Sequence, residues 1–485
     1  MQNYICNIMQ KFINNFFGEQ QVLKIVQLEQ AGSSRKYFRI FLKNEQTYLA
    51  CYNPNIEENK TYFYFTDIFK KHQINVPEIF HVADTNDKYI LEDLGSESLL
   101  DFVLKSKEVE KIETIYKQAI DGLIQIQTEA GKEINYTKCF ASKSFDTSML
   151  TADFNYCKYY FLDIHSIDYD KQKFQLEIET YAREIIDNDN PYFMYRDFQG
   201  RNIMLKNEQT YFIDFQGGMQ GPLQYDIASL LWQAKANLSS EFKEKLFTYY
   251  IENLSKKINI QKEEFKNRYA KIVLLRLFQV LGAYGLRGII EQKYHFISSI
   301  PFALQNINEW NEKYHYSIKN YPTLQYIVQQ LISSEIKEKY NQKNLPVSSN
   351  LKITVQSFSY KQGLPDDTSG NGGGYVFDCR GILNPGRFEE YKKLTGRDQA
   401  VIEFLETKTK IKDFLHHIQK IISISIDDYI QRDFSNLLIS FGCTGGQHRS
   451  VYCADQITKY IKERYPIVSV EVKHIVQDAK KWKND

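Results

Sequence analysis

The sequence lacks any paired-cysteine signature. Its seven cysteines (Cys6, Cys51, Cys139, Cys157, Cys379, Cys443 and Cys453) are odd in number and form neither a CxxC nor a zinc-type spacing. That argues against a disulfide scaffold or a structural zinc site and suits a reducing cytoplasm, so a cytoplasmic protein is expected. Charge of one sign is also lacking: Lys+Arg 61 stands against Asp+Glu 60. With no global field to attract nucleic acid or an anionic membrane, any such contact has to be local. The N-terminus has no basic region leading into an apolar core, and a signal peptide is not expected. The most apolar window, 272–290, is broken by Arg276, Gln279 and Arg287, which predicts a buried helix rather than a membrane span.

What is present is ordinary globular material, 43% hydrophobic and 25% charged, over 485 residues. That length predicts two or three domains. The chain is organised around 195–218. Tyr195-Arg196-Asp197-Phe198-Gln199-Gly200-Arg201-Asn202 runs into apolar Ile203-Met204-Leu205, and after a turn at Asn207-Glu208-Gln209 the strand Tyr211-Phe212-Ile213 ends on Asp214-Phe215-Gln216. This places a carboxylate and an amide on one loop, facing a second carboxylate at the end of the neighbouring strand. Phosphoryl transfer from a nucleotide needs that set: Asp197 to orient and deprotonate a hydroxyl, Asn202 and Asp214 to hold Mg²⁺ on the phosphates. The spacing follows the kinase pattern H-R-D-x-x-x-x-N and D-F-G, with Tyr195 in place of His and Gln216 in place of Gly. Asp and Asn are also common turn residues, so the rest of the chain has to decide.

Upstream, an amphipathic helix is expected over 1–20, then strands with a small-residue turn, Gly32-Ser33-Ser34-Arg35, between them. Such a turn can donate backbone N–H groups to phosphates, and it is equally an ordinary hairpin. Kinases place a Lys on the following strand, but Ala50-Cys51-Tyr52 has none. Arg35, Lys36 or Arg39 can supply the charge, and the sequence does not choose among them. A helix is read over 59–72. The strand ending Leu91-Glu92-Asp93-Leu94-Gly95 suits a hinge whose backbone pairs with an adenine edge, or a plain strand end. Helical periodicity covers 110–129 and 166–188, and Asp226 sits in the first turn of a later helix, where its ordinary role is capping.

Residues 20–315 resemble the aminoglycoside phosphotransferase-type kinase superfamily, and within it the AmgK-like sugar kinases. The resemblance is carried by Ser34 to Arg39, Leu91 to Gly95, Tyr195 to Asn202, Ile213 to Gly218, Tyr225-Asp226-Ile227-Ala228 and Gln279 to Tyr284. It implies a two-lobed α+β protein-kinase-like fold, ATP and Mg²⁺ as cofactors, and a small amino sugar phosphorylated at its anomeric hydroxyl. Asp197 would be the catalytic base and Asn202 and Asp214 the metal ligands. Nucleotide binding would involve Gly32, Ser33, Ser34, Arg35, Arg39, Glu92 and Leu94.

A polar, turn-rich stretch at 336–350 is expected to be a linker. It separates a kinase domain at 1–335 from a small α/β domain at 351–485 with a strand–Gly-rich loop–helix phosphate site. There the apolar strand 436–441 enters Gly442-Cys443-Thr444-Gly445-Gly446-Gln447-His448-Arg449-Ser450, after one helix read around 398–421. Free N–H groups at a helix start converge on a phosphate, and Arg449 adds charge. The candidate phosphate-binding residues are Cys443, Thr444, Gly445, Gly446, His448, Arg449 and Ser450. The same turn fits C-x5-R-S, the loop of cysteine phosphatases, although Gly442 stands where those have His. Residues 351–477 resemble the C-terminal domain of RapZ through Ser357-Phe358, Gly363-Leu364-Pro365, Tyr375 to Asp378, Asn384-Pro385, Thr395-Gly396 and Gly442 to Tyr452. That resemblance implies a sugar-phosphate sensor, an RNA contact and self-association into a homo-oligomer. The mildly basic tail Lys480-Lys481-Trp482-Lys483 and the balanced charge speak against RNA. The readings that compete are a sugar kinase with a sensor domain, a non-catalytic RNase-adapter-like binding protein, and a cysteine phosphatase.

Overall fold

The computed structural model describes residues 2–28, 35–186, 192–291, 293–340, 350–367, 374–432 and 434–484. Gly32, Ser33 and Ser34 lie outside them, as does most of the expected linker, 341–349. The chain divides into two compact units: Met1–Leu286 with Ser299–Lys339, and Tyr340–Asp485 with Arg287–Ser298.

The first unit opens with helix α1 (Gln2–Phe17), which lays Ile5, Met9 and Ile13 onto a five-stranded antiparallel sheet. Its strands β1 (Val22–Gln27), β2 (Lys36–Leu42), β3 (Thr47–Tyr52), β4 (Ile79–Val82) and β5 (Lys88–Glu92) stand in the order β1-β2-β3-β5-β4. Period-two alternation sends Phe38, Ile40 and Leu42 of β2 into one core. Helix α2 (Ile56–Lys71) crosses between β3 and β4, capped by Asn55, whose side chain accepts the Glu58 N–H.

A helical layer follows. It includes Thr147–Cys157, Lys171–Ile185, Gln224–Leu231 and the 23-residue Lys262–Tyr284. The last is apolar enough to cross a membrane by composition, yet most of it is buried inside the fold and it carries Arg276, which is 3% exposed. The helical stretch read at 166–188 begins later, at Lys171, because Asp170 accepts the N–H groups of Gln172 and Lys173 and caps it there. Between these helices lies the antiparallel hairpin Ile203–Lys206 and Gln209–Phe212. Asn207 and Glu208 both take positive φ (51° and 62°), the geometry of a two-residue turn matched to strand twist.

The second unit is a parallel sheet in the order Gly374–Asp378, Asn436–Cys443, Lys352–Ser359, Ser469–His474. Helix Arg449–Arg464 follows the second of these strands directly after the glycine-rich turn. The helix read around 398–421 is two, Gln399–Lys408 and Ile411–Gln431. Thr409 breaks it by turning extended, and its hydroxyl accepts the Ile411 N–H at the start of the second helix. The short helix Ser334–Lys339 occupies the start of the stretch read as linker.

Candidate active site

The loop that carries Asp197 is held from behind by a buried carboxylate. Asp226, with no solvent exposure, accepts the backbone N–H groups of Tyr195 (2.8 Å) and Arg196 (2.9 Å), and Gln127 donates to it at 3.2 Å. Burial pushes its carboxyl up to about 7, against the pull of those donors. The sequence reading made Asp226 a helix cap; its work is to fix a strained loop, since Arg196 has φ 74°.

Tyr195, in the place usual for His, is fully buried. Its hydroxyl donates to the Ile213 carbonyl at 2.6 Å, tying the loop to the residue just before Asp214. From the other side, the Ile213 N–H donates to the Asn202 carbonyl at 3.1 Å. Asp214 takes φ 67°, a second strained position at the same place. The next residue, Phe215, stacks on Tyr62 of α2 at 4.9 Å and meets Phe69 edge-on. The aromatic packing thus couples the Asp214 turn to α2, which carries Glu58.

The missing strand lysine is answered by Arg35. Its guanidinium lies 2.8 Å from Asp214 Oδ1 and 2.9 Å from Glu58 Oε1. Burial works against its charge, but the neighbouring tyrosine and carboxylates hold its pKa above the usual value. Arg39 is engaged elsewhere: it pairs with Asp93 at 2.8 Å and donates to the Gly95 carbonyl at 2.8 Å, bracing the hinge. Glu92 is held by Lys206 at 2.6 Å, and Leu94 is buried. Lys36 pairs through its backbone register with Tyr52.

Asn202 and Asp214 offer a donor set that fits Mg²⁺. The Asn202 amide N–H donates to the Asp197 carbonyl at 2.9 Å, which orients its side-chain oxygen as the free acceptor. Asp214 spends Oδ1 on Arg35 and Gln216, leaving Oδ2 on a side chain 33% exposed. Among the described residues no three His, Cys, Asp or Glu side chains gather as a metal cage. Magnesium on nucleotide phosphates needs none, because one or two protein oxygens, phosphates and water complete its octahedron. No described residue donates a hydrogen bond to the Asp197 carboxylate.

In the second unit, Thr444 and Arg449 line an open cavity of about 380 Å³ together with Arg380, Asn384 and Arg387. The two further arginines come from a segment whose sequence gave no signal for them. Gly446 needs its positive φ of 63°, and a Cβ there would meet Val476 at 2.5 Å. Arg449, while lining the cavity, also donates to the Ile382 carbonyl at 2.7 Å. His448 turns away and hydrogen-bonds the Tyr391 carbonyl through Nε2 at 2.8 Å. Cys443 is buried against Ser450, 3.1 Å from its hydroxyl, and does not line the cavity. Burial works against its thiolate, but the hydrogen bonds from Ser450 outweigh it and lower its pKa. Gly445 has open space around its Cα.

The first unit thus brings Arg35, Asn202 and Asp214 together beside the Asp197 loop. Residues 24–257 match the family model of the phosphotransferase enzyme family, and residues 351–477 match that of the RapZ C-terminal domain. The chain therefore joins a domain of the phosphotransferase enzyme family to a RapZ C-terminal domain. Among curated proteins it is 37% identical over 131 residues to a nucleotide-binding protein of Actinobacillus pleuropneumoniae, covering 27% of this chain and 44% of that one. It is 32% identical over 154 residues to a nucleotide-binding protein of Clostridium acetobutylicum, covering 31% and 51%. The chain thus spans about half the length of these relatives or less. Solved structures similar to it include an ethanolamine kinase of Plasmodium vivax (12% identity, TM-score 0.45, 64% of this chain and 88% of that one). Another is the choline kinase of Streptococcus pneumoniae (14%, 0.41, 64% and 99%).

Proposed function

We propose that the first unit is an ATP- and Mg²⁺-dependent kinase of a small hydroxylated substrate, most consistent with an amino sugar such as N-acetylglucosamine or N-acetylmuramate. The observation that carries this reading is the convergence of Arg35, Glu58 and Asp214 beside the Asp197 loop. It reproduces with an arginine the ion pair that kinases build from a strand lysine and a helix glutamate. In this reading Asp197 orients the acceptor hydroxyl and takes its proton as the oxygen attacks the γ-phosphorus and ADP departs. Asn202 and Asp214 would hold Mg²⁺, which would supply positive charge against the phosphates. Arg35 steadies the α- and β-phosphates, and the backbone at Glu92–Leu94 meets the adenine. The Tyr195 hydroxyl bound to the Ile213 carbonyl and Arg35 bound to Asp214 support this reading over that of a non-catalytic binding protein.

The second unit, in the same proposal, binds a sugar phosphate in the cavity lined by Arg380, Arg387, Thr444 and Arg449 and reports product level to the kinase. The test is ATP consumption against N-acetylmuramate, N-acetylglucosamine, glucosamine, choline and an aminoglycoside, beside Asp197→Ala. Turnover of an amino sugar that vanishes in the variant establishes the reading. ATP binding without turnover of any acceptor overturns it in favour of a binding protein.

A further inference from the structure

Next to the Asp197 loop lies a carboxylate that the phosphate chemistry does not use. Asp153 sits on helix Thr147–Cys157, whose Leu150, Phe154 and Cys157 are buried. This helix lies tightly against Lys262–Tyr284: a Cβ at Gly282 would meet the Tyr156 ring at 2.7 Å and the Cys157 N at 2.8 Å. Phe154 also meets Phe278 edge-on at 5.2 Å. Asp153 is therefore carried on a rigid wall. Its Oδ2 is sealed from solvent, and no donor among the described residues reaches it.

Three charged groups share its surroundings: Arg276 from the long helix, and Arg196 and Asp197 from the catalytic loop. Burial pushes the Asp153 carboxyl up to about 6; the two arginines oppose this and Asp197 adds to it. Yet the set is not closed. Arg276 spends Nη1 on the Tyr225 hydroxyl (2.8 Å) and the Gln279 side chain (2.6 Å), and its buried Nε has no partner. Among the described residues neither Arg196 nor Arg276 comes within 4.0 Å of a carboxylate oxygen. A sealed carboxylate oxygen left without a donor is costly, and it persists where a ligand supplies one.

We propose that Asp153 is the acceptor-gripping residue of the kinase, accepting hydrogen bonds from two neighbouring hydroxyls of an uncharged, polyhydroxylated substrate and so selecting the hydroxyl presented to Asp197. Two guanidiniums, Arg196 and Arg276, share the surroundings of Asp153 and Asp197, so an acceptor that brings hydroxyls rather than further positive charge suits the place. The inference rests on the kinase reading above and deepens it.

The experiment compares the full chain with Asp153→Asn and Asp153→Ala, using N-acetylglucosamine and a polycationic aminoglycoside as acceptors. It also measures calorimetric binding of N-acetylglucosamine in an Asp197→Ala background. Both Asp153 variants are expected to raise the KM for the sugar at least about tenfold, with kcat little changed and the ATP-induced rise in melting temperature intact. The wild-type kcat/KM should fall on the acid side near pH 6, and that limb should vanish in Asp153→Asn. Turnover of the sugar with an unchanged KM in both variants overturns the inference while leaving the kinase reading standing. Tighter use of the aminoglycoside than of the sugar overturns it as well. If the wild-type chain neither binds nor phosphorylates the sugar, the amino-sugar reading falls and this inference with it.

Discussion

Arg35 and Asp214, 179 positions apart in sequence, meet side chain to side chain at 2.8 Å. The same guanidinium holds Glu58 of α2, so one residue links the first sheet's edge, its helix and the Asp214 turn. Arg35→Ala should therefore lower kcat/KM for ATP by about 10²–10³, and Arg35→Lys should restore part of it, because a point charge replaces the planar fork. Steady-state kinetics at varied ATP checks this. An Arg35→Ala enzyme with wild-type kinetics contradicts the assignment.

Tyr195→Phe removes one hydroxyl and leaves the Ile213 carbonyl without its donor. The expected cost is about 1–3 kcal/mol, read as a lower melting temperature of the first unit. A fall in kcat larger than any change in KM for ATP should accompany it, since the Asp214 turn loosens. Equal melting temperature and equal kcat would show that the ring alone carries the position.

The exposed Arg387 lines the cavity of the second unit with no described hydrogen bond from its side chain, so Arg387→Ala tests the anion site with little risk to folding. Calorimetry with glucosamine-6-phosphate should show binding weakened by about tenfold, in line with the loss of one charged hydrogen bond. Unchanged affinity would place the ligand elsewhere. Cys443→Ser should leave this binding intact, as the thiol lies outside the cavity.

Asp455 gives a pH dependence of known sign. Burial opposes its charge, but hydrogen bonds from Arg397 (2.7 Å) and His474 (3.0 Å) prevail and hold its carboxyl down to about 2. A carboxylate depressed in the folded state stabilises above its unfolded pKa, and that stability is lost as pH falls from about 4 toward 2. Ser357, 2.9 Å from His474 on the other side, is fully buried, so the trio serves as a structural tie rather than a nucleophile. Asp455→Asn should cost about 1–2 kcal/mol at pH 7, with the gap to wild type shrinking at pH 3. A gap that stays constant between the two pH values contradicts the assignment.

Much of the site can be read from the sequence because its chemistry is local. Asp197 and Asn202 share one loop, Asp214 ends the adjoining hairpin strand, and the turn residues Asn207 and Glu208 close it at two-residue range. The strand–glycine turn–helix of the second unit is equally local. Its glycines meet the turn's need for positive φ and close packing, as Gly446 shows.

What only the tertiary structure decided are the long-range pairings. Composition cannot say which of Arg35, Lys36 and Arg39 reaches Asp214, because the choice is made by a contact 179 residues away and by Asp93 capturing Arg39. Nor does a helix-start aspartate announce that its carboxylate grips the Tyr195 and Arg196 amides, or the lone Asp153 that it faces the same loop without a partner. Hydrophobic periodicity and turn chemistry fix elements within a few residues of themselves. Side-chain charge has no such range limit, and it finds its partner only after the core has brought distant elements together.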